Sequence, residues 1–159
     1  EVTRAMGRIQ RIMREITSRF RHEPAAPAVN RKILLLPCPG DSHRFGLTLV
    51  EQFFREAGWS VTSSVTQPEM DGLRCVQEEW FDIVGLSLAC EALLPAMTET
   101  VAALRRNSRN DALRVLVGGP AFAANPDSFR RVGADASAGD ARTALSVAEC
   151  LLDLTVRPC

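Results

Sequence analysis

Short apolar runs alternate with stretches of helical periodicity from residue 32 onward. The runs predict five strands, at 33–36, 60–65, 83–88, 115–117 and 134–137. The periodic stretches predict five helices, at 46–57, 68–80, 93–107, 126–132 and 141–154. Strict alternation of strands and helices is typical of an α/β fold with a doubly wound, five-stranded parallel sheet, Rossmann-like or flavodoxin-like, in the order 2-1-3-4-5. Ligands of such sheets bind beyond the carboxyl ends of the strands, so the loops there are the first place to look for a site.

A different pattern precedes the alternating region. Residues 1–23 have apolar residues at spacings of three and four with arginines between them, which predicts an amphipathic helix. The apolar positions are Val2, Ala5, Ile9, Ile12 and Ile16. Two prolines within residues 24–31 disfavour helix and predict a linker. The expected organisation is a helix at 1–23, a linker at 24–31 and an α/β domain at 32–159.

Composition and charge limit the kinds of partner that the whole chain would attract. The 159 residues carry 19 basic and 19 acidic side chains, so the whole chain has no net charge to draw it onto DNA, RNA or an anionic membrane. No apolar run is long enough to span a bilayer, and we expect a cytoplasmic protein without direct nucleic-acid or membrane contact. The five cysteines are an odd number without a Cys-x-x-Cys pair, which argues against a disulfide framework and against a zinc site.

The loop after the first predicted strand carries the clearest chemistry. It has neither the glycines of G-x-G-x-x-G nor the lysine of a phosphate-binding P-loop, so nucleotide binding by those routes is disfavoured. Asp41 stands two residues before His43. A carboxylate at this spacing can accept the Nδ1 proton of the imidazole, which makes Nε2 a better metal ligand or proton acceptor. Alternatively, His43 is merely exposed in the loop or caps the next helix, and the same two residues would then have no chemical role.

Two further strand ends fall at the same predicted sheet edge. Ser87 ends the third strand, where it can extend the hydrogen bonds of Asp41 and His43 or cap the next helix. Gly118 and Gly119 end the fourth strand, where they allow backbone to approach a ligand closely or form a bare tight turn. No G-x-S-x-G elbow accompanies these residues, which disfavours a hydrolase.

Several motifs together resemble the cobalamin-binding domain, whose pattern is D-x-H-x-x-G, S-x-L and G-G. Here they are the sequence D-S-H-R-F-G at 41–46, the serine at position 87, and V-G-G-P at 117–120. More narrowly, residues 37–59 resemble the branch called "sensor containing heme instead of cobalamin" (SCHIC), which includes the AppA/AerR antirepressors of photosynthesis genes. The resemblance covers about residues 32–154.

The resemblance implies roles for individual residues. His43 would be the axial ligand to the metal, Asp41 its hydrogen-bond orienter and Ser87 an outer relay. Gly46 would close the first motif, and Gly118 with Gly119 would form the floor of a slot for the nucleotide tail of the cofactor. The chain departs from the family pattern at Ala89, where leucine is usual, and at Ser137, where an aromatic residue is common. Both positions are expected to line the slot.

The resemblance also implies a function. We expect a regulatory domain, not an enzyme, that binds a transcription repressor of the PpsR/CrtJ type and controls photosynthesis genes in response to redox or light. Its cofactor would be heme or cobalamin, or its pocket would be empty and the domain would act by protein contact alone. Residues 1–23 would be the last part of a helical cap. The alternative is a cobalamin carrier domain of a methyltransferase or mutase.

Overall fold

The computed structural model describes residues 30–153. Its centre is a five-stranded sheet in which every neighbouring pair is parallel, with the order β2-β1-β3-β4-β5. The strands are β1 (Lys32–Pro37), β2 (Ser60–Ser63), β3 (Ile83–Ser87), β4 (Arg114–Gly118) and β5 (Ala136–Ala138). The predicted fold class and strand order are both confirmed.

Helices cover both faces of the sheet. They are α1 (Phe45–Glu56), α2 (Gly72–Glu78), α3 (Leu94–Asn107), α4 (Pro120–Ala124) and α5 (Ala141–Asp153), with 3-10 turns at Glu91–Leu93 and Pro126–Arg130. Alternate residues of β1 enter two separate cores, Ile33 with the residues under α1 and α5, and Leu34 with those under α2 and α3. A strand buried on both faces reads as a continuous apolar run, which explains the pattern of β1.

Two helix predictions were wrong in detail. The helix predicted at 126–132 is the 3-10 turn Pro126–Arg130, and α4 was not predicted because it is only five residues long. The helix predicted at 68–80 begins only at Gly72, since the Asp71 side chain accepts a hydrogen bond from the Leu73 amide and so caps it there. None of these shifts changes which loops reach the carboxyl edge of the sheet.

Part of the predicted organisation lies outside the described residues. Outside them are the helix predicted at 1–23, residues 24–29 of the predicted linker and the final residues 154–159. In the range 30–153, no helix combines the length and the apolar character needed to cross a membrane.

Candidate functional site at the carboxyl edge

The loop between β1 and α1 is anchored by one buried carboxylate. Asp41, with a side chain only 2% exposed, accepts hydrogen bonds through Oδ1 from the His43 amide at 2.9 Å and from the His43 ring Nδ1 at 3.0 Å. Its Oδ2 accepts a hydrogen bond from the Ala89 amide, just beyond β3, at 2.6 Å. The Asp41 carboxylate therefore joins the loop to the end of the neighbouring strand and orients the imidazole at the same time.

The charge state of Asp41 suits this role. Burial alone would raise the pKa of its carboxyl group, but the hydrogen bonds from the His43 amide, the Ala89 amide and the His43 ring hold that pKa below its usual value. The group is therefore an ionised carboxylate at neutral pH and can only accept hydrogen bonds. It follows that Nδ1 of His43 donates the hydrogen bond, so in the neutral imidazole the lone pair lies on Nε2.

The other side of the His43 ring faces outward. Its side chain is 77% exposed although its orienting partner is buried. An imidazole held by a carboxylate through Nδ1, with an accessible Nε2, can coordinate a metal or accept a proton. Among residues 30–153, no group of three or more His, Cys, Asp or Glu side chains could hold a metal ion. A single imidazole matches a metal whose other ligands come with a macrocycle.

A cavity of about 520 Å³ opens beside this loop, between the sheet and the helices α1 and α5. Its walls are almost entirely aliphatic side chains and glycines. The residues that line it from α1 and the strand ends include Gly46, Leu47, Val50, Gly85, Ser87, Gly118, Gly119, Ala138 and Gly139. Four of the predicted site residues, Gly46, Ser87, Gly118 and Gly119, thus line one space. Asp41 and His43 do not line it but belong to the loop that leads into α1 at its rim.

Several residues that line the cavity are glycines, and the reason for glycine differs among them. Gly119 has φ +102, and a Cβ atom on it would lie 2.5 Å from the Leu88 carbonyl oxygen. A Cβ on Gly118 would lie 3.0 Å from the Ala138 carbonyl oxygen, and one on Gly85 would lie 2.6 Å from the Leu35 side chain. A Cβ on Gly46, in contrast, would meet nothing within 4 Å. The first three glycines are required by backbone or core packing, whereas Gly46 leaves cavity space open.

Ser87 has an unsatisfied hydroxyl. Its Oγ is buried and has no hydrogen-bond partner in the described part of the chain. The predicted relay from Ser87 to Asp41 is therefore not formed in this structure, and the hydrogen bond from the end of β3 to Asp41 comes from the Ala89 amide. A buried hydroxyl without a partner is costly, so its place in the wall of a cavity fits an occupant that supplies the missing hydrogen bond.

A family model for the B12 binding domain matches residues 31–149. The chain belongs to the B12-binding domain family. The match spans the entire sheet, the loop with Asp41 and His43, and most of α5. The exposed imidazole, the aliphatic cavity and the unpartnered Ser87 hydroxyl are the features of this B12-binding domain that fit a corrinoid.

Individual relatives agree with the family. Dimethylamine corrinoid protein 3 of Methanosarcina mazei is 30% identical over 115 residues, which cover 71% of this chain and 67% of that protein. A cobalamin-binding protein from Desulfitobacterium hafniense superimposes with a TM-score of 0.63 at 26% identity over 77% of this chain. The monomethylamine corrinoid protein of Methanosarcina barkeri shares the fold, with a TM-score of 0.58 at 18% identity over 74% of this chain. This chain spans only 59% and 56% of the length of those two solved chains.

These matches favour one of the two expected cofactors. The family and its relatives support cobalamin, and they give no support to heme. The two departures from the family pattern also prove less important than expected, since neither Ala89 nor Ser137 lines the cavity. Ala89 acts through its backbone amide, and the Ser137 hydroxyl donates to the Pro126 carbonyl at 3.0 Å.

Sequence reasoning missed three contributors to this site. The Ala89 amide gives no signal in the sequence, because every residue except proline has a backbone N–H. Gly85 stands inside an apolar strand, where an isolated glycine is a weak sign of close approach. Gly139 follows directly after β5 and lines the cavity with open space around it, so its place in the stretch G-A-D-A-S-A-G-D-A was the available clue.

Cys38 is close to the loop in sequence but takes no part in the cavity. It is 1% exposed, and its thiol donates to the Leu93 carbonyl at 3.8 Å. Burial, followed by the negative charge of Asp41, raises the pKa of this thiol. It therefore stays protonated at neutral pH and behaves as a small core residue. Cys75 is half-buried, and Cys90 and Cys150 are exposed.

Proposed function

We propose that this B12-binding domain holds a corrinoid through His43 and presents it to a separate methyl-transferring protein. The observation that carries the proposal is the exposed His43 imidazole, fixed by a buried, ionised Asp41 at the rim of the aliphatic cavity. When bound, the corrinoid would supply the cobalt chemistry of methyl transfer. The protein residues would bind it, orient it and leave it reachable.

Each residue has a distinct part in this proposal. His43 would ligate cobalt through Nε2, and Asp41 would fix the ring and its tautomer. The nucleotide tail of the cofactor would enter the cavity, where Gly46 leaves room and Gly118 with Gly119 form one wall. The Ser87 hydroxyl would gain the hydrogen bond that it lacks.

The exposure of His43 favours a carrier. A metal held by a side chain that is 77% exposed stays at the surface of the domain, where another polypeptide can reach it. We expect no turnover by the domain alone, because in this proposal residues 30–153 supply the metal ligand and the cavity, and the partner supplies the groups that react with the methyl donor and acceptor. A methyltransferase or mutase partner would complete the activity.

A second candidate is a regulatory domain of the AppA/AerR antirepressor type. The residues that resemble that branch, 37–59, form the His43 loop, α1 and the turn that follows it. Phe45, directly beside this loop, is 41% exposed and offers an apolar contact to a protein partner. In this alternative the partner would be a transcription repressor of the PpsR/CrtJ type, and the corrinoid would report a signal.

Absorption spectroscopy tests the shared core of both candidates. Purified protein is titrated with hydroxocobalamin and, in parallel, with hemin, and the titrations are repeated with His43→Ala. We expect a corrin spectral shift in the native protein that is lost in the variant. The proposal fails if the corrin spectrum does not change, or if it changes equally in both proteins.

A second experiment separates carrier from regulator. The carrier proposal expects methyl transfer when the loaded domain is mixed with a methyl-donor protein and a methyl acceptor. The regulatory alternative expects instead a corrinoid-dependent complex with a PpsR/CrtJ-type repressor. Both assays use His43→Ala as the control, because this variant should lose either response.

A further inference from the structure

A second cavity lies on the opposite face of the sheet. It measures about 490 Å³ and is bounded by α2, α3 and the carboxyl end of β1. We call it the α2/α3 groove. Its apolar lining includes Leu36, Met70 and Leu73, and its charged lining includes Asp71 and Glu99. The proposed corrinoid site leaves this groove unused.

The surface around the α2/α3 groove is apolar and suited to a helix. Leu73, which lines the groove, is 38% exposed and is one of three exposed large apolar side chains within residues 30–153. On the other side, α3 lines the groove with Ala96, Thr100 and Ala103, small residues at spacings of four and three. Small side chains on one helix face let a second helix approach closely.

The charge of this surface has a counterpart elsewhere in the chain. The charged residues that line the groove are Asp71, Glu99 and Arg44, a net charge of −1. Residues 1–23 contain six arginines against three glutamates, a net charge of +3, together with the predicted apolar stripe. The overall neutrality of the chain therefore conceals two opposite local charges. We propose that residues 1–23 of the same chain, the cationic arm, dock in the α2/α3 groove.

The connection is long enough for this contact. The six residues 24–29 can span about 20 Å when extended. The six residues of β1 cover about the same distance, from its start near residue 30 to the groove at Leu36 and Pro37. The end of the cationic arm can therefore reach the groove from the amino edge of the sheet.

Docking here would bring the cationic arm to the loop of His43. Arg44 lines the α2/α3 groove, and its Nη1 donates to the Ser64 carbonyl at 3.2 Å. A docked arm would thus contact the residue next to His43 without entering the aliphatic cavity on the other face. The proposal does not depend on a bound corrinoid.

Limited trypsin digestion of the full 159-residue chain tests the proposal, because the arm carries six arginines. The rate of cleavage within residues 1–23 is followed by intact mass at low salt. We expect Leu73→Ser, which removes an exposed aliphatic side chain that a docked arm would cover, to speed this cleavage about tenfold. Glu99→Lys should speed it severalfold, and high salt should reduce the difference between Glu99→Lys and the native chain.

The matched control is Phe45→Ser, an exposed apolar residue at the carboxyl edge that does not line the groove. It should leave arm cleavage unchanged, and thermal unfolding should show that all three variants are folded. The proposal is overturned if Leu73→Ser and Glu99→Lys both leave the rate unchanged. It is also overturned if only Phe45→Ser matters, which would place the arm over the carboxyl edge. Protection that fades on dilution would assign the groove to the arm of a second copy.

Discussion

Asp41 and Asp135 form the same backbone contact at opposite edges of the sheet. Asp41 Oδ2 accepts from the Ala89 amide at the carboxyl edge, at 2.6 Å, and Asp135 Oδ2 accepts from the Val115 amide at the amino edge, at 2.7 Å. Their remaining partners differ. Asp135 also binds Arg105 at 2.8 Å, and Arg105 in turn donates to two backbone carbonyls. Asp41 binds an imidazole that is 77% exposed.

This difference is the basis for assigning Asp135 a structural role and for proposing a ligand-orienting role for Asp41. Asp135 binds the Arg105 side chain, which donates to backbone carbonyls of the same domain. Around Asp41, the interactions end at Nε2 of His43, which faces outward. A carboxylate whose partners all belong to the fold stabilises the fold, whereas one whose partner is exposed can prepare that partner for a ligand.

Replacing each carboxylate in turn tests whether Asp41 and Asp135 differ in their effects on stability and on corrinoid binding. Asp135→Ala should lower the free energy of unfolding by about 2–3 kcal/mol, because the Val115 amide and Arg105 both lose their acceptor. Asp41→Asn keeps an acceptor oxygen and should cost less stability, but it should weaken corrinoid binding about 10–100-fold. Urea unfolding and cobalamin titration of both variants measure the two effects. Equal effects on binding would show that the two aspartates do not differ in role.

The glycines of the two edges give a smaller effect that sharpens the comparison. Gly119 at the carboxyl edge and Gly133 near the amino edge both have positive φ, +102 and +80. Only Gly119 would place a Cβ against backbone, 2.5 Å from the Leu88 carbonyl, whereas Gly133 would meet Val101 at 3.7 Å. Gly119→Ala should therefore lower the free energy of unfolding by about 2–3 kcal/mol and Gly133→Ala by about 1 kcal/mol. Thermal unfolding with the order reversed would contradict the account.

Acid provides a third test, specific to Asp41. Because its pKa is lowered in the folded protein, the stability that it contributes is fully present above its unfolded pKa near 4 and is lost as the pH falls through the lower folded pKa. The native protein should lose more stability between pH 7 and pH 3 than Asp41→Asn does. Urea unfolding at the two pH values measures this, and an equal loss in both proteins would show that Asp41 is not held ionised.

The smallest expected effect concerns two serines at strand ends. Ser63 accepts a hydrogen bond from the Val65 amide at 3.1 Å, whereas the buried Ser87 hydroxyl has no partner among the described residues. Ser63→Ala should lower the free energy of unfolding by about 1 kcal/mol, and Ser87→Ala should leave it unchanged or raise it by up to about 1 kcal/mol. Chemical unfolding of the unliganded proteins compares them. A loss at Ser87 equal to that at Ser63 would mean that its hydroxyl is already satisfied.

The sequence predicted the sheet because its signal is repeated. Apolar runs bounded by turn residues alternate with helical periodicity along the chain. All five strands and their order could therefore be inferred from the sequence alone. The short helix α4 could not, since five residues give too little periodicity to distinguish a helix from a turn. The 3-10 turn at Pro126–Arg130 was mistaken for a helix for a similar reason.

The site was predictable where side chains carry it and not where backbone does. Asp41 and His43 could be paired from their spacing alone, and the glycines from their dipeptide. The contact that fixes Asp41 to β3 comes from the Ala89 amide, and the identity of a residue says nothing of where its N–H points. The hydrogen bond expected from the Ser87 hydroxyl to Asp41 is not formed. The Ala89 amide donates to the Asp41 carboxylate instead.

The central claim is that His43, oriented by Asp41, ligates the cobalt of a bound corrinoid. Electron paramagnetic resonance of the protein loaded with cob(II)alamin tests it, using protein made with ¹⁵N-labelled histidine and unlabelled cofactor. An axial nitrogen splits the cobalt lines into triplets when it is ¹⁴N and into doublets when it is ¹⁵N. We expect doublets from the labelled protein and triplets from the unlabelled one. Triplets from both, or no nitrogen splitting in either, would contradict the account.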